Sequence, residues 1–285
     1  MQRSEFRLLD RLRVRWAEID AQQIVFNAHY LMYFDTAVAA YWRAMAMPYA
    51  QTMSALGGDL FVRKATLDYT GSARYDDVLD VGIRCGRIGN SSMTLTGAVF
   101  RQDRLLVSGE LVYVFADAKA QRPLPVPPVL RDAVQAFEAG DDMVTVQLGA
   151  WHELGPEARA VRTEVFVEEQ KIAATLEWDS ADEGCVHALA RNRFDQALAT
   201  GRLLVHAPGV ARIGRIAVVR SLRGTRIGRQ VLDALMTAAR ERGDGEVVLN
   251  AQTSAVAFYE AAGFKARGPG FEEAGIVHIE MSRLF

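Results

Sequence analysis

The sequence predicts an α+β chain of two successive domains, and three observations predict it. A slim apolar helix is followed by four strand-like segments joined by short turns, a cluster of prolines then stops the pattern, and mixed helices and strands restart after it. At 285 residues, the length corresponds to about two domains.

The first half opens with Arg11, Arg13 and Arg15 alternating with Leu12, Val14 and Trp16, the period of a half-buried strand. A helix follows in which Tyr30, Phe34, Ala37, Val38, Tyr41 and Met45 recur at spacings of three and four. Ala39, Ala40 and Ala44 keep it slim, so a sheet is expected to wrap it. Asp20 precedes this helix, and the first free N–H groups of the helix point back into the same space. Pro48 and the Gly57-Gly58 pair mark loops.

Strands are expected at residues 61–69, 78–87, 92–101 and 105–115, separated by the turn residues Gly71-Ser72-Ala73, Gly89-Asn90 and Gln102-Asp103. These connections are too short for parallel crossovers, so the sheet is antiparallel. One curved sheet around one helix leaves an open edge and a bare face, which predicts dimerisation through the sheet.

Pro123, Pro125, Pro127 and Pro128 stop the sheet, and a helix at 129–139 ends at Gly140. The boundary is placed there, giving domains of 1–140 and 141–285. In the second half, strands are expected at 143–148, 186–190, 201–206, 211–219, 246–250 and 277–285. Helices are expected at 156–169, with Pro156 in the first turn, and at 227–242 and 254–262.

Apolar residues make up 50% of the chain, aromatic residues 9% and charged residues 24%, values of an ordinary globular protein. A net charge of −2 gives no case for a nucleic-acid or membrane-surface partner. No apolar run approaches the ~18–20 residues of a membrane span. Residues 1–10 lack the apolar core of a signal peptide, so a cytoplasmic location is expected. Cys85 and Cys185 lie in different halves, and His152, His187, His206 and His278 show no ligand spacing, so no metal is expected. Cys85 falls in a strand pattern and reads as a small buried apolar residue.

Two resemblances bring chemistry. Arg15-Trp16-Ala17-Glu18-Ile19-Asp20, then Ile24-Val25-Phe26-Asn27-Ala28-His29-Tyr30, the Tyr75-Asp76-Asp77 turn and the closing Arg122-Pro123-Leu124-Pro125 together resemble the hotdog-fold acyl-CoA thioesterases of the 4-hydroxybenzoyl-CoA type. The resemblance covers about residues 5–135. It implies an antiparallel sheet around the central helix and an aspartate, here Asp20, that attacks the thioester or activates water. Backbone N–H donors at the helix start are worth about 2.7–4 kcal/mol in such a transition state. Relatives place a histidine or tyrosine where this chain has Asn27 and an asparagine where it has His29, so Asn27 and His29 join the candidate catalytic set. The basic cluster that relatives offer to CoA phosphates is reduced to Arg87, since Ile88-Gly89-Asn90-Ser91 is uncharged. A pocket flanked by Trp16, Phe26 and the helix would suit an apolar or aromatic acyl group.

In the second half, Arg220-Ser221-Leu222-Arg223-Gly224-Thr225-Arg226-Ile227-Gly228 opens a helix after a strand, a ready anion site with Arg223, Arg226 and Arg229 adding charge. With Asn250-Ala251-Gln252 and Phe258-Tyr259-Glu260 further on, it resembles the GNAT acyltransferases. Val165-Phe166-Val167-Glu168-Glu169-Gln170 and Glu177-Trp178-Asp179 point to their ElaA-like branch. The family would bind CoA pyrophosphate on Arg223, Gly224, Thr225, Arg226, Ile227 and Gly228. It would pair pantetheine with Ile216, Ala217 and Val218, with Asn250 and Phe258 beside the cofactor site. Tyr259 would protonate the leaving thiolate. Arg226 stands where the family usually has glycine. Glu168, Glu169, Glu177 and Asp179 are candidates to meet an acceptor amine or act as a base, with a solvated acidic surface the commoner explanation, so they are left unassigned.

The resemblances imply a bifunctional enzyme: acyl-CoA hydrolysis in the first half and acyl transfer from acetyl-CoA or another acyl-CoA to an unknown amine in the second. They also imply a homodimer or homotetramer through the hotdog half. The alternative is a thioesterase whose second half only binds acyl-CoA or regulates.

Overall fold

The computed structural model describes residues 1–285, which form two compact units, Met1–Met143 and Val144–Phe285. No helix is long and apolar enough to cross a membrane.

The first unit comprises β1 (Leu8–Arg13), α1 (Asn27–Ala44), α2 (Tyr49–Leu56), β2 (Asp59–Tyr69), β3 (Val78–Ile88), β4 (Ser92–Arg101), β5 (Arg104–Ala116) and α3 (Pro128–Ala139). The five strands form one sheet in the order β1-β3-β4-β5-β2, antiparallel throughout. The helix α1 buries Tyr30, Phe34, Ala37, Val38 and Tyr41, and Tyr33 and Trp42 with them. The sheet can lie this close because Gly97 and Gly109 meet across β4 and β5, and both face the ring of Phe34. At the far edge β2 exposes Phe61 and Val62, and its outer side has no partner strand in this chain.

Three expectations need correction here. The first strand ends at Arg13 rather than reaching Trp16, because the Val14 N–H turns away to the Asp77 carbonyl at 2.9 Å and Trp16–Glu18 coil into a 3-10 turn. Trp16 is consequently 75% exposed and rests edge-on against Tyr75. The residues between Pro48 and Gly57 form α2 rather than a loop. Pro48 caps its start and Gly57, at φ 72°, caps its end, so the two breakers delimit a helix. Cys85 is half-buried rather than buried, at a bulge where β3 shifts register against β4.

The second unit comprises β6 (Val144–Gly149), α4 (Trp151–Arg162), a π-helical segment Thr163–Glu169, α5 (Ala174–Glu177), β7 (Val186–Asn192), β8 (Ala197–Ala207), β9 (Val210–Val218), α6 (Ile227–Arg242), β10 (Glu246–Gln252), α7 (Val256–Glu260), β11 (Lys265–Glu273) and β12 (Ile276–Leu284). Its seven strands run in the order β11-β12-β10-β9-β8-β7-β6, and β9 with β10 is the parallel pair. Pro156 lies inside α4, not in its first turn. The helix starts earlier because Glu153 reaches back to the Ala150 N–H at 3.0 Å, and because Leu154 and Ala158 pack on Leu189. Beyond Arg162 the backbone widens into the π-helical segment. The strand β11 was not legible, since all its residues are exposed and its register breaks between Arg267 and Phe271.

One departure from regularity positions the second site. The strands β9 and β10 pair only at Val210, Ala211 and Arg212. Just beyond, β9 bulges against β8 around Arg215, whose φ is 55°. Bulges bend and twist a strand, and from Gly214 onward β9 has no partner on its β10 side.

Candidate active sites

In the first unit the site grows from a tight return of the chain. Ile19 bridges Val25, and the Phe26 N–H donates to the Glu18 carbonyl at 2.9 Å, one residue before α1 begins. Asp20 sits at the tip of this return. Its Oδ1 accepts the Gln22 N–H at 2.8 Å and the Ile24 N–H at 3.5 Å, an Asx turn that fixes the carboxylate and leaves Oδ2 unbonded. At the helix start the His29 N–H donates to the Phe26 carbonyl, while the amides of Asn27 and Ala28 have no helical partner. Asn27 is exposed, and its carbonyl accepts the Tyr69 hydroxyl at 3.2 Å. The His29 ring is half-buried, edge-on to Phe26. Phe26, Leu31 and Met32 leave apolar surface exposed around the helix start.

The group that holds this loop in place is Glu18, which sequence reasoning passed over. It is 3% exposed and accepts the Tyr33 hydroxyl, the Arg15 N–H and the Arg15 Nε, each at 2.7 Å. Burial pushes its carboxyl upward, but these donors and the Arg15 charge outweigh burial and hold it below the usual range. A buried glutamate between Trp16 and Ile19 carries no periodic signal of its own. The clue in the sequence was Tyr33, four residues after His29 on the face that α1 buries.

In the second unit the loop after β9 makes the cradle. Gly224 has φ +84°, and Arg226 caps α6 with φ 69°, so the left-handed conformation that glycine favours is held by an arginine. The Thr225 N–H donates to Leu222 and the Arg229 N–H to Arg226. The amides of Gly224, Arg226, Ile227 and Gly228 remain without backbone partners at the positive end of a 16-residue helix. A Cβ on Gly228 would stand 3.1 Å from Val218, so glycine is needed for α6 to approach β9. The expected cluster of three arginine charges is reduced. Arg223 grips Glu169 through two bonds of 2.7 and 2.6 Å and reaches the Val218 carbonyl. Arg229 pairs with Asp233. Arg226 alone of the three forms no ion pair.

The unpaired stretch of β9 borders a cavity of about 410 Å³, where Gly214, Ile216, Asn250 and Tyr259 meet. Ala217 and Val218 pair with β8 on the opposite edge. Phe258 stacks edge-on with Tyr259 and touches the site of Gly228. Burial raises the Tyr259 phenol to about 12, so it holds its proton at neutral pH.

Glu177 and Asp179 also border the cavity; Glu177 is buried rather than solvated, while Asp179 is exposed but held by arginines. Glu177, 2% exposed, accepts Arg162 Nε at 2.5 Å; Arg162 is itself 1% exposed and donates to Asp182 at 2.8 Å. Arg202 binds Asp179 at 2.6 and 2.7 Å and shares Asp182. Burial pushes the Glu177 carboxyl up against the pull of Arg162 and Arg215. For Asp179, the Arg202 hydrogen bonds lead in pulling the carboxyl down. Sequence spacing could not expose this network, because its members come from α4, α5, β8 and the turn after α5. Nowhere do three or more His, Cys, Asp or Glu side chains form a group that could hold a metal ion.

A family profile described as a thioesterase-like superfamily matches residues 14–134, and one described as an acetyltransferase (GNAT) domain matches residues 158–285.

The chain belongs to both families, a thioesterase-like hotdog domain followed by a GNAT domain.

The GNAT half is similar to the uncharacterised N-acetyltransferase YjcF of Bacillus subtilis, 34% identical over 124 residues, which are 43% of this chain and 87% of that protein. The hotdog half is similar to a protein of Aquifex aeolicus provisionally named an esterase, 31% identical over 93 residues, 33% of this chain and 72% of that protein. Among solved structures, Escherichia coli ElaA is 29% identical, covers 50% of this chain and 99% of its own, and superposes with a TM-score of 0.45.

Proposed function

We propose that the hotdog domain hydrolyses an acyl-CoA thioester at Asp20 and that the GNAT domain transfers an acyl group from CoA to an amine with Tyr259 as proton donor. The observation that carries this reading is shared by both halves: a helix begins with unbonded amides close in the chain to the reactive group or to the cofactor strand. In the hotdog domain the Asn27 and Ala28 amides would receive the thioester oxygen, and the free Oδ2 of Asp20 would attack the carbonyl carbon or take the proton of the attacking water. His29, beside Phe26, would line the acyl entry.

In the GNAT domain the four amides from Gly224 to Gly228 would take the CoA pyrophosphate. Pantetheine would pair with the open edge of β9 at Ile216, the stretch from which β10 has parted. The Val218 carbonyl contributes less, being engaged by Arg223. The neutral amine nitrogen adds to the carbonyl carbon and loses one proton to solvent, the C–S bond breaks, and Tyr259 gives its proton to the departing thiolate and is reprotonated from solvent.

The two reactions compete for acyl-CoA, so the domains are expected to differ in acyl length, with an apolar or aromatic acyl group favoured by the hotdog domain. Its open β2 edge and the exposed Phe61 and Val62 support assembly into a homodimer or homotetramer, which light scattering would measure.

The test is release of CoA thiol from acyl-CoAs of graded length, with and without an amine mixture. Asp20→Asn is expected to abolish amine-independent release. Tyr259→Phe is expected to abolish amine-stimulated release only. Survival of hydrolysis in Asp20→Asn would overturn the first assignment. A second reading, in which the GNAT domain only binds acyl-CoA, is favoured by the Arg226 side chain standing where the family has none. Tight CoA binding without N-acyl product would establish it.

A further inference from the structure

The cavity of the GNAT domain is lined by charges beyond the residues assigned above to acyl-CoA. Of the cations on its wall, Arg202 is committed to Asp179 and Asp182, and Arg215 to Glu177 and Asp179. Arg212 is different. Its ion pair is a 3.7 Å approach to Glu280, an acid that Arg267 also contacts at 3.4 Å. The Arg212 Nε is buried without a hydrogen-bond partner, and so is the Nε of Arg202, which is 7% exposed overall.

Strand register brings these two donors together. Arg212 lies opposite Leu204 on β8, and Leu204 and Arg202, two apart on one strand, point to the same face. All three line the cavity. Buried donors without acceptors are rare in folded proteins because losing water uncompensated is costly. The acids on this wall that could supply the missing acceptors are already engaged, apart from Glu273, which is exposed and forms no ion pair. The cavity therefore offers an under-used guanidinium and one uncommitted carboxylate near the open edge of β9.

We infer that the acyl acceptor is a small amine that also carries a carboxylate, an amino acid or a molecule of that type, with its carboxylate held by Arg212. This rests on the transferase reading above and names the substrate of that same site. A planar guanidinium matches the two oxygens of a carboxylate, and Glu273 complements the ammonium form as it enters. The neutral amine then adds to the thioester carbon beside Gly214 and Ile216. One proton leaves the nitrogen for solvent, the C–S bond breaks, and the thiolate is protonated, giving an N-acyl amino acid and free CoA.

The experiment incubates the full chain and acetyl-CoA with the twenty amino acids and with their carboxamides, and detects N-acetyl product by mass. Binding of the same compounds to the CoA-loaded protein is measured by calorimetry. At least one amino acid is expected to exceed its carboxamide tenfold or more in kcat/KM. Arg212→Gln is expected to erase that preference through KM, and Arg212→Lys, which keeps the charge and guards against a folding defect, to restore part of it. Carboxamides that react as well as the acids, or a preference that survives Arg212→Gln, would overturn the inference while leaving the transferase reading intact. Amino acids that bind in an Arg212-dependent way without forming product would overturn both the acceptor inference and the transferase reading, leaving only a carboxylate-binding site at Arg212. The absence of both binding and product would overturn the inference outright.

Discussion

Gly97 and Gly109 face each other across β4 and β5, and the ring of Phe34 fills the hollow that their missing side chains leave. A Cβ on Gly97 would lie 2.6 Å from that ring and one on Gly109 2.8 Å from it. Gly97→Ala is therefore expected to destabilise the hotdog domain by about 1–3 kcal/mol through overpacking. Combining it with Phe34→Leu should recover part of the loss, because the smaller side chain admits the new methyl. Urea denaturation of the two variants and their combination measures both effects, and strict additivity would show that the ring and the glycine do not share the hollow.

Asp80 ties the first segment of the chain to β3. It is 5% exposed, accepts Arg11 Nε at 2.8 Å and also binds Arg3. The Arg11 hydrogen bond leads the groups that hold its carboxyl below the usual carboxylate range, against burial. A depressed carboxyl contributes stability that is fully present above its unfolded value of about 3.9 and is lost as pH falls through the folded value. Asp80→Asn is expected to cost about 1.5–3 kcal/mol at neutral pH and to flatten the loss of stability below pH 4. Melting temperatures from pH 7 to pH 3 would check this.

Arg226 holds φ 69° at the start of α6, a conformation that costs a residue other than glycine about 1–2 kcal/mol, and its side chain has no ion pair. With Arg223 and Arg229 engaged by Glu169 and Asp233, it is the arginine at the helix start that remains available to a phosphate. Arg226→Gly is expected to relax the backbone and yet weaken CoA binding about 5- to 20-fold, as loss of an exposed charge-assisted hydrogen bond implies. The difference should shrink in high salt. Calorimetry at two ionic strengths decides, and tighter CoA binding in the glycine variant would mean that the side chain crowds the site.

Burial, followed by the Glu138 charge, raises the Cys85 thiol to about 12. Since the thiolate is the nucleophile and a free cysteine titrates near 8.5, Cys85 is expected to alkylate at least 100-fold more slowly than a free thiol at pH 8. Its rate should keep rising to pH 11. Peptide mass mapping separates it from Cys185, whose thiol burial also raises.

Periodicity and turn chemistry exposed most of this fold. The apolar stripe of α1 and the short turns between β3, β4 and β5 are local, so each is written in a window of a few residues. Helix α2 was hidden because Pro48 and Gly57 are ambiguous signs that either break a helix or bound one. Strand β11 was hidden because an edge strand exposed on both faces has no alternation. At the sites, Asp20, Tyr259 and the loop from Arg223 to Gly228 stood out through motif order. Glu18 and the Arg162, Glu177, Asp182 and Arg202 network did not, since their partners come together only when distant elements pack. The end of the β9–β10 pairing at Arg212 was likewise invisible, because it depends on how two distant strands diverge in the folded sheet.

Glu18 and Tyr33 supply the remaining prediction, about a positioning pair rather than a reacting group. Their 2.7 Å hydrogen bond joins the loop that carries Asp20 to the helix whose start offers the free amides. Tyr33→Phe removes one donor from a buried carboxylate that keeps its two bonds from Arg15, so the domain should stay folded at a cost of about 1–3 kcal/mol. Loosening the loop should spread the Asp20 carboxylate over more orientations, lowering kcat for thioester hydrolysis about 3- to 10-fold while KM changes less than twofold. Glu18→Gln, which keeps an acceptor for Tyr33 but loses the charge that Arg15 holds, should fall further. A Tyr33→Phe enzyme with unchanged kcat and only a lower melting point would make the pair a matter of stability alone.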